Sequence, residues 1–252
     1  MKNQRSGRCN EEAKRDMCSH HCRRHFLLGA ASALLFVHGT GVMLGAELPR
    51  ACASFDTSSS DRFPKRGTSN NRALDNAMIA ELKRILAVIP VNPEFHYIDE
   101  GNPNAFALPT SDLPGTKGTV LLGLKLINSL LQEQPDGGAA IAGVCAHECA
   151  HIYQYTTEFY DRLSGSGPIL LELHADLIAG FYMGKRADVN ADRVRSFSRA
   201  LFERSGYDYT NPNYHGSPGQ RLVAVEKGYF YARQGLSLQD ATTRGETYVK
   251  NL

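Results

Sequence analysis

Residues 138–155 have the sequence GAAIAGVCAHECAHIYQY, an apolar run that predicts a buried helix. Within it, His147 and His151 are four positions apart, so both lie on one face of the helix about one turn from each other. The two imidazoles can therefore reach one metal ion, and Glu148 projects beside that ion without having to ligate it. The plainer alternative is a buried helix that carries two histidines and binds no metal.

Glu148 suits the role of a general base in this arrangement. Zn²⁺ prefers nitrogen, sulfur and carboxylate ligands in a tetrahedron, and a catalytic zinc site keeps one position open for water. That water needs a nearby carboxylate to take its proton, and Glu148 directly follows His147. The motif therefore predicts a catalytic zinc centre that binds water, with Glu148 as the base.

A third ligand is predicted in a second helix, where residues 172–176 have the sequence ELHAD. Glu172 lies among apolar neighbours, and a carboxylate in that setting needs a partner, which a metal would provide. Asp176, one turn further on, would then hydrogen-bond a ligand imidazole. Two alternatives stay open, a solvated carboxylate at Glu172 and ligation by His174. Because His174 faces another direction on the helix, we favour a structural role for it.

The two motifs together resemble those of the gluzincin metallopeptidases, whose third zinc ligand is a Glu in an E-x-x-A-D or E-x-x-x-D motif. More narrowly, the segment ELHADLIAGFY at 172–182 is similar to the E-L-x-A-D-x-x-A-G pattern of the bacterial neutral zinc metallopeptidases. Two further segments match, NAFALP at 104–109 and His215-Gly216-Ser217 followed by Arg221. The resemblance covers about residues 104–232, and it departs from the family pattern at Cys145 and Cys149, which are not ligands.

The resemblance implies roles for two residues downstream of the third ligand. His215 would donate a hydrogen bond to the oxyanion of a tetrahedral intermediate, next to the metal. Arg221 would pair with a carboxylate close to the metal, for which Asp176 is one candidate. The alternative is a solvated loop histidine and a surface arginine.

A substrate-binding strand is also implied, because an edge strand beside the metal helix can bind an extended peptide by strand addition. In gluzincins the edge strand next to the active site has this role. The residues that match it are Asn104, Ala105, Phe106 and Ala107. The alternative is that these residues form a core strand.

The remaining patterns predict an α+β fold. Short strands are predicted at 95–99, 104–108 and 118–123, between Gly and Pro residues. Helices are predicted from Asn71 to Pro90, over 124–134 and 190–205, and after residues 217 and 237. We therefore expect one mainly helical, zincin-like domain at 71–252, with a small antiparallel or mixed sheet over the metal-binding helix.

Residues 1–53 are interpreted as a twin-arginine signal peptide. The segment Arg23-Arg24-His25-Phe26-Leu27 matches the signature R-R-x-F-L, an apolar stretch follows at 26–46, and Ala51 and Ala53 offer a cleavage site. The twin-arginine export machinery is then a partner, and the mature protein is periplasmic or secreted without a stable membrane span. An uncleaved leader would instead anchor the protein in the membrane. The polar segment 54–70 predicts a disordered linker.

The net charge bears on nucleic-acid binding, and the cysteine content bears on disulfide bonds. The whole chain has a net charge of +2, but eight basic and four acidic residues lie in 1–53, which leaves −2 for the rest. A nearly neutral mature protein gives no support for nucleic-acid binding. Only Cys145 and Cys149 lie outside the leader, so no disulfide framework is expected.

These observations predict an exported zinc metallopeptidase that acts on a peptide or protein substrate. Two alternatives share the same ligands. One is a catalytically inactive relative that binds a peptide, and the other is a zinc hydrolase of a non-protein amide in the cell envelope.

Overall fold

The structure is a computed structural model in which residues 64–101, 103–132, 137–202 and 215–252 are described. The predicted signal peptide at 1–53 lies outside the described residues, as do residues 54–63 of the predicted linker. The described part contains eight helices and a four-stranded sheet, which confirms the predicted mainly helical α+β fold.

The helices and strands follow one another along the chain much as the sequence predicts. They are β1 (Lys65–Arg66), α1 (Arg72–Val88), β2 (Glu94–Ile98), β3 (Ala105–Leu108), β4 (Thr119–Gly123), α2 (Leu124–Gln132), α3 (Gly137–Tyr155), α4 (Phe159–Ser164), α5 (Pro168–Lys185), α6 (Ala191–Phe202), α7 (Pro218–Arg233) and α8 (Leu238–Lys250). Residues 133–134 and 203–205, predicted to end two of these helices, lie outside the described residues.

Side-chain caps explain where several helices begin. The Asn71 side chain accepts hydrogen bonds from the backbone N–H groups of Ala73 and Leu74, so α1 begins after it. Ser217 and Gln220 form a reciprocal capping box at the start of α7. Helix α5 begins with a proline, whose missing N–H leaves no hydrogen bond unmade at that position.

The sheet is mixed and has the strand order β1-β2-β4-β3. Strands β2 and β4 are parallel, whereas β1 pairs with β2 and β3 pairs with β4 in antiparallel fashion. Strand β3 therefore lies at one edge of the sheet. Side chains alternate between the two faces of β4, so Val120 and Leu122 enter the main core while Leu121 belongs to a smaller cluster on the other face.

The linker prediction over 54–70 is wrong at its C-terminal end. Lys65 and Arg66 form β1, where they pair with Ile98 and Tyr97 of β2. Lys65 also contacts Asp112 at 2.8 Å, and Arg66 contacts Asp99 at 2.6 Å. A polar composition alone predicts disorder, but backbone pairing to an existing strand needs no apolar side chain.

Helix α3 is almost wholly buried, because it packs against β3 and β4 on one side and against α5 on another. Helices α5 and α7 approach each other closely. A Cβ atom at Gly180 would fall onto the carbonyl oxygen of Val225, and one at Gly228 would fall onto that of Leu177. Only glycine fits at these positions, and the close contact brings the middle of α7 against the middle of α5.

None of the described helices combines the length and apolar character that crossing a lipid bilayer requires.

Candidate metal centre

Helix α3 places His147 and His151 side by side, as their four-residue spacing predicts. The centroids of the two rings are 4.6 Å apart, and the two Nε2 atoms are 3.0 Å apart. His151 is 3% exposed and His147 is half-buried. The two Nε2 atoms therefore face the same point beside helix α3.

Helix α5 packs across α3 and brings the carboxylate of Glu172 to the same point. Its Oε2 lies 3.4 Å from His147 Nε2, and its Oε1 lies 3.4 Å from His151 Nε2. The Glu172 residue is 2% exposed, so the alternative of a solvated carboxylate is wrong. These three side chains form a group that could hold a metal ion.

Asp176 lies one turn beyond Glu172 and contacts the other side of the His147 ring. Its Oδ1 is 2.9 Å from His147 Nδ1, although this buried pair lacks the alignment of a full hydrogen bond. Arg221 of α7 donates to both Asp176 oxygens, from Nε at 2.7 Å and from Nη2 at 2.9 Å. The Arg221 side chain is 12% exposed, so the alternative of a surface arginine is wrong. A bidentate pair of this kind fixes the orientation of the carboxylate.

The charges of this cluster shift the pKa values of its members. Burial alone would lower the pKa of His147, but Asp176 and then Glu172 raise it to about 10. Burial would raise the pKa of Glu172, yet the histidines around its carboxylate, His151 first, hold that pKa well below its ordinary value. For Asp176, burial is outweighed by the charge of Arg221, which keeps that pKa low as well. Both carboxylates are ionised at neutral pH and add negative charge at the place where a cation would bind.

His215, on the segment that leads into α7, also reaches the centre. Its Nδ1 lies 2.9 Å from Oε2 of Glu172, and its side chain is 30% exposed. The solvated-loop alternative for His215 is therefore wrong. The predicted hydrogen bond from His215 to an oxyanion stays a prediction, because the contact seen here is with a ligand carboxylate.

Glu148 is buried close to His147 and His151 and is not a member of the group that could hold a metal ion. Burial raises the pKa of Glu148, and the charges of His147 and His151 oppose that shift only in part. A general base works best when its pKa lies near the operating pH. The raised pKa is therefore compatible with the role predicted from the sequence.

The sequence prediction missed Gln154, which contacts the ring of His151 on the side away from Glu172. Gln154 Oε1 lies 2.9 Å from His151 Nδ1, and Gln154 is 0% exposed. A signal for this contact exists in the sequence. Gln154 is a single amide in an apolar helix, three positions after a predicted ligand, where it can reach the same face.

His174 is not a ligand in this arrangement. It is 0% exposed, its Nε2 lies 3.0 Å from the carbonyl oxygen of Thr242, and its Nδ1 lies 3.1 Å from Nε2 of Gln154. Burial lowers the pKa of His174 to about 4, so the ring is neutral at physiological pH. These contacts favour the structural role predicted from the sequence, and the ligand set itself stays a prediction.

The predicted substrate-binding residues lie on or next to the edge strand β3, which packs against α3. Asn104 precedes the strand, is exposed, and its side chain accepts a hydrogen bond from the backbone N–H of Ala105. Phe106 packs against the apolar cluster on the outer face of the sheet, and Ala107 belongs to the main core. An edge position is what strand addition requires, whereas peptide binding itself stays a prediction.

Cys145 and Cys149 are free thiols, and both are 0% exposed along α3. Burial raises the pKa of each thiol, so both are protonated at neutral pH in the metal-free protein. The two cysteines therefore pack as small apolar residues.

Comparison of the chain with models of protein families, with curated proteins and with solved structures gives no match. The likeness to gluzincins accordingly rests on the sequence motifs alone and stays a prediction.

Proposed function

We propose that this protein is an exported zinc metallopeptidase. The observation that carries the proposal is the convergence of His147 Nε2, His151 Nε2 and a Glu172 oxygen, with Glu148 beside them and outside the ligand group. Two imidazoles and one carboxylate are the ligands of several zinc hydrolases, in which the fourth position takes water or substrate.

The distances among the three side chains suit a tetrahedral ion. With metal–ligand bonds of about 2.0–2.1 Å, neighbouring ligand atoms of a tetrahedron stand about 3.3–3.4 Å apart. The separations here are 3.0 Å between the imidazole nitrogens, 3.4 Å from His147 Nε2 to Glu172 Oε2 and 3.4 Å from His151 Nε2 to Glu172 Oε1, so each nitrogen faces a different carboxylate oxygen. Mg²⁺ and Ca²⁺ favour all-oxygen octahedral or larger shells, so a set with two imidazoles favours zinc over them.

The contacts that His147 and His151 make through Nδ1 also suit a metal centre. Asp176 Oδ1 contacts Nδ1 of His147 at 2.9 Å, Gln154 Oε1 lies 2.9 Å from Nδ1 of His151, and both rings turn Nε2 toward Glu172. Imidazole ligands in metal sites commonly donate their other N–H to a carboxylate or carbonyl group in this way.

The metal ion and the side chains would supply different parts of the reaction chemistry. When bound, zinc supplies a Lewis acid that polarises a carbonyl group and lowers the pKa of water toward neutrality. Glu148 takes a proton from the attacking water and passes it to the leaving amine, a transfer that its raised pKa favours. His215 moves from the Glu172 carboxylate to the developing oxyanion, and the backbone of 104–107 aligns an extended peptide along the edge of the sheet.

Substitution of Glu148 tests the proposal. Glu148→Gln is expected to bind zinc with the stoichiometry of the wild type while kcat on a peptide library falls about 10²- to 10⁴-fold. Retained turnover in the zinc-loaded variant would refute the base assignment. A wild type that binds zinc and cleaves no peptide in that library, with or without a chelator, would instead favour the peptide-binding protein or the hydrolase of a non-protein amide.

Export is a separate part of the proposal and is supported by Arg23 and Arg24 within the R-R-x-F-L match. Replacing both arginines by lysine is expected to leave the protein on the cytoplasmic side of the membrane in cell fractionation. Unchanged export of that variant would refute the twin-arginine route.

A further inference from the structure

A buried chain of hydrogen bonds leads from His151 to the last helix. Gln154 Oε1 lies 2.9 Å from His151 Nδ1, and Gln154 Nε2 lies 3.1 Å from His174 Nδ1. His174 Nε2 in turn lies 3.0 Å from the carbonyl oxygen of Thr242, in α8. This hydrogen-bond chain therefore joins three helices, α3, α5 and α8.

Two backbone carbonyl groups fix the direction of every hydrogen bond in this chain. A carbonyl oxygen only accepts, so His174 Nε2 carries a proton and donates it to Thr242. Gln154 Nε2 also donates to the carbonyl oxygen of Leu171 at 2.9 Å, which sets the orientation of the Gln154 amide. The amide oxygen then faces His151 and can only accept, so Nδ1 of His151 is the ring nitrogen that carries the proton.

Burial makes this arrangement costly to change. Gln154 and His174 are both 0% exposed, so water does not replace a lost partner, and each unpaired buried polar group costs about 1–3 kcal/mol. If the proton of His151 moved to Nε2, two acceptors would face each other at Nδ1 and the amide oxygen. The other tautomer is therefore disfavoured in the folded protein.

We propose that Gln154 and His174 are positioning residues that hold His151 in the tautomer whose Nε2 carries no proton and offers its lone pair to a metal ion. A protonated ring nitrogen cannot ligate, so this hydrogen-bond chain prepares the ligand before the ion binds. The neutral amide of Gln154 contacts His151, whereas the ionised carboxylate of Asp176 contacts His147. The inference rests on the proposed zinc centre and requires no peptidase activity.

Zinc affinity measured by competition with a chelator tests this role. Gln154→Met has a similar length but lacks the amide, and we expect it to weaken zinc binding about 10- to 100-fold. His174→Phe leaves Gln154 anchored on Leu171, so a smaller loss is expected. Gln154→Glu in its neutral form restores both an acceptor and a donor, and it is expected to bind zinc more tightly than Gln154→Met.

A matched control separates this role from a purely structural one. Thr119 is also buried and donates one side-chain hydrogen bond to a backbone carbonyl, but it lies in β4 outside this hydrogen-bond chain. Thr119→Val is expected to lower the Tm of the metal-free protein without changing zinc affinity. Wild-type zinc affinity in Gln154→Met, whatever its Tm, would overturn the proposal.

The tautomer itself is measured by long-range ¹H–¹⁵N NMR of the metal-free wild type, which requires no variant to fold. We expect the His151 signals of a ring protonated at Nδ1, and a ring protonated only at Nε2 would overturn the proposal. A wild type that binds no zinc would refute the proposed function, whereas the tautomer would still decide whether Gln154 orients the ring.

Discussion

Removal of the Arg221 guanidinium leaves a buried carboxylate without its partner. Arg221→Met keeps most of the side-chain volume, but it deletes the two hydrogen bonds of 2.7 and 2.9 Å to Asp176. Asp176 is 1% exposed, so water does not replace them. Hydrogen bonds to charged groups contribute about 1.5–3 kcal/mol each, and breaking a buried ion pair costs about 3–5 kcal/mol. We expect a loss of unfolding free energy of about 3–5 kcal/mol.

Urea denaturation of the metal-free protein, with a chelator present, measures this loss. The double variant Asp176→Asn with Arg221→Met removes the uncompensated charge as well, so it is expected to be more stable than Arg221→Met alone. The charge of Arg221 also holds the pKa of Asp176 low, and Asp176 contacts Nδ1 of His147, so zinc affinity is expected to fall in Arg221→Met. A stability loss below about 1 kcal/mol would refute the interpretation of this pair as a buried support of the centre.

Three further predictions concern the third ligand, the buried histidine and the close contact of α5 with α7. Glu172→Ala is expected to lose zinc, and full zinc occupancy in that variant would return His174 or Asp176 to the ligand set. The pKa of His174 is lowered to about 4, below the ordinary value of 6.5, so the unfolded chain takes up this proton more readily than the folded protein. Stability of the metal-free protein is therefore expected to fall by about 3 kcal/mol as the pH is lowered from about 6.5 to 4, and His174→Phe should lack this contribution in urea titrations. Gly228→Ala is expected to destabilise the protein by about 1–3 kcal/mol or more, since its Cβ would overlap the carbonyl oxygen of Leu177. Gly219→Ala on the same helix is the matched control, since its Cβ would meet only the Ser217 hydroxyl, at 4.0 Å. Equal stability of the two alanine variants would contradict the close packing of these helices.

The sequence predicts most elements of the fold because their signals are local. The cap at Asn71, the apolar run that forms α3, and the capping box at Ser217 each act within one or two helical turns. The strand order was not predictable in the same way, since β2 pairs with β4 while β3 lies at the edge. Pairing between distant strands leaves no local pattern, and the two residues of β1 are too few to show a period of alternation.

The candidate site shows the same difference between local signals, which the sequence reveals, and contacts that depend on long-range packing. The four-residue spacing of His147 and His151 is a property of one helix, so the sequence alone is sufficient to predict their convergence. The contact of Asp176 with Arg221 depends on how closely α5 and α7 pack, and the sequence identified it only as a candidate. The hydrogen-bond chain through Gln154 joins three helices, and it became visible only once their packing was known.

X-ray absorption at the zinc edge, on the mature protein with one equivalent of zinc, tests the central claim most directly. The account predicts a first shell with two imidazole nitrogens at about 2.0–2.1 Å, one carboxylate and one exchangeable oxygen from solvent, with the imidazole signal lost in His147→Ala with His151→Ala. A shell filled by four protein side chains, or one that keeps its imidazole signal in that double variant, would contradict it.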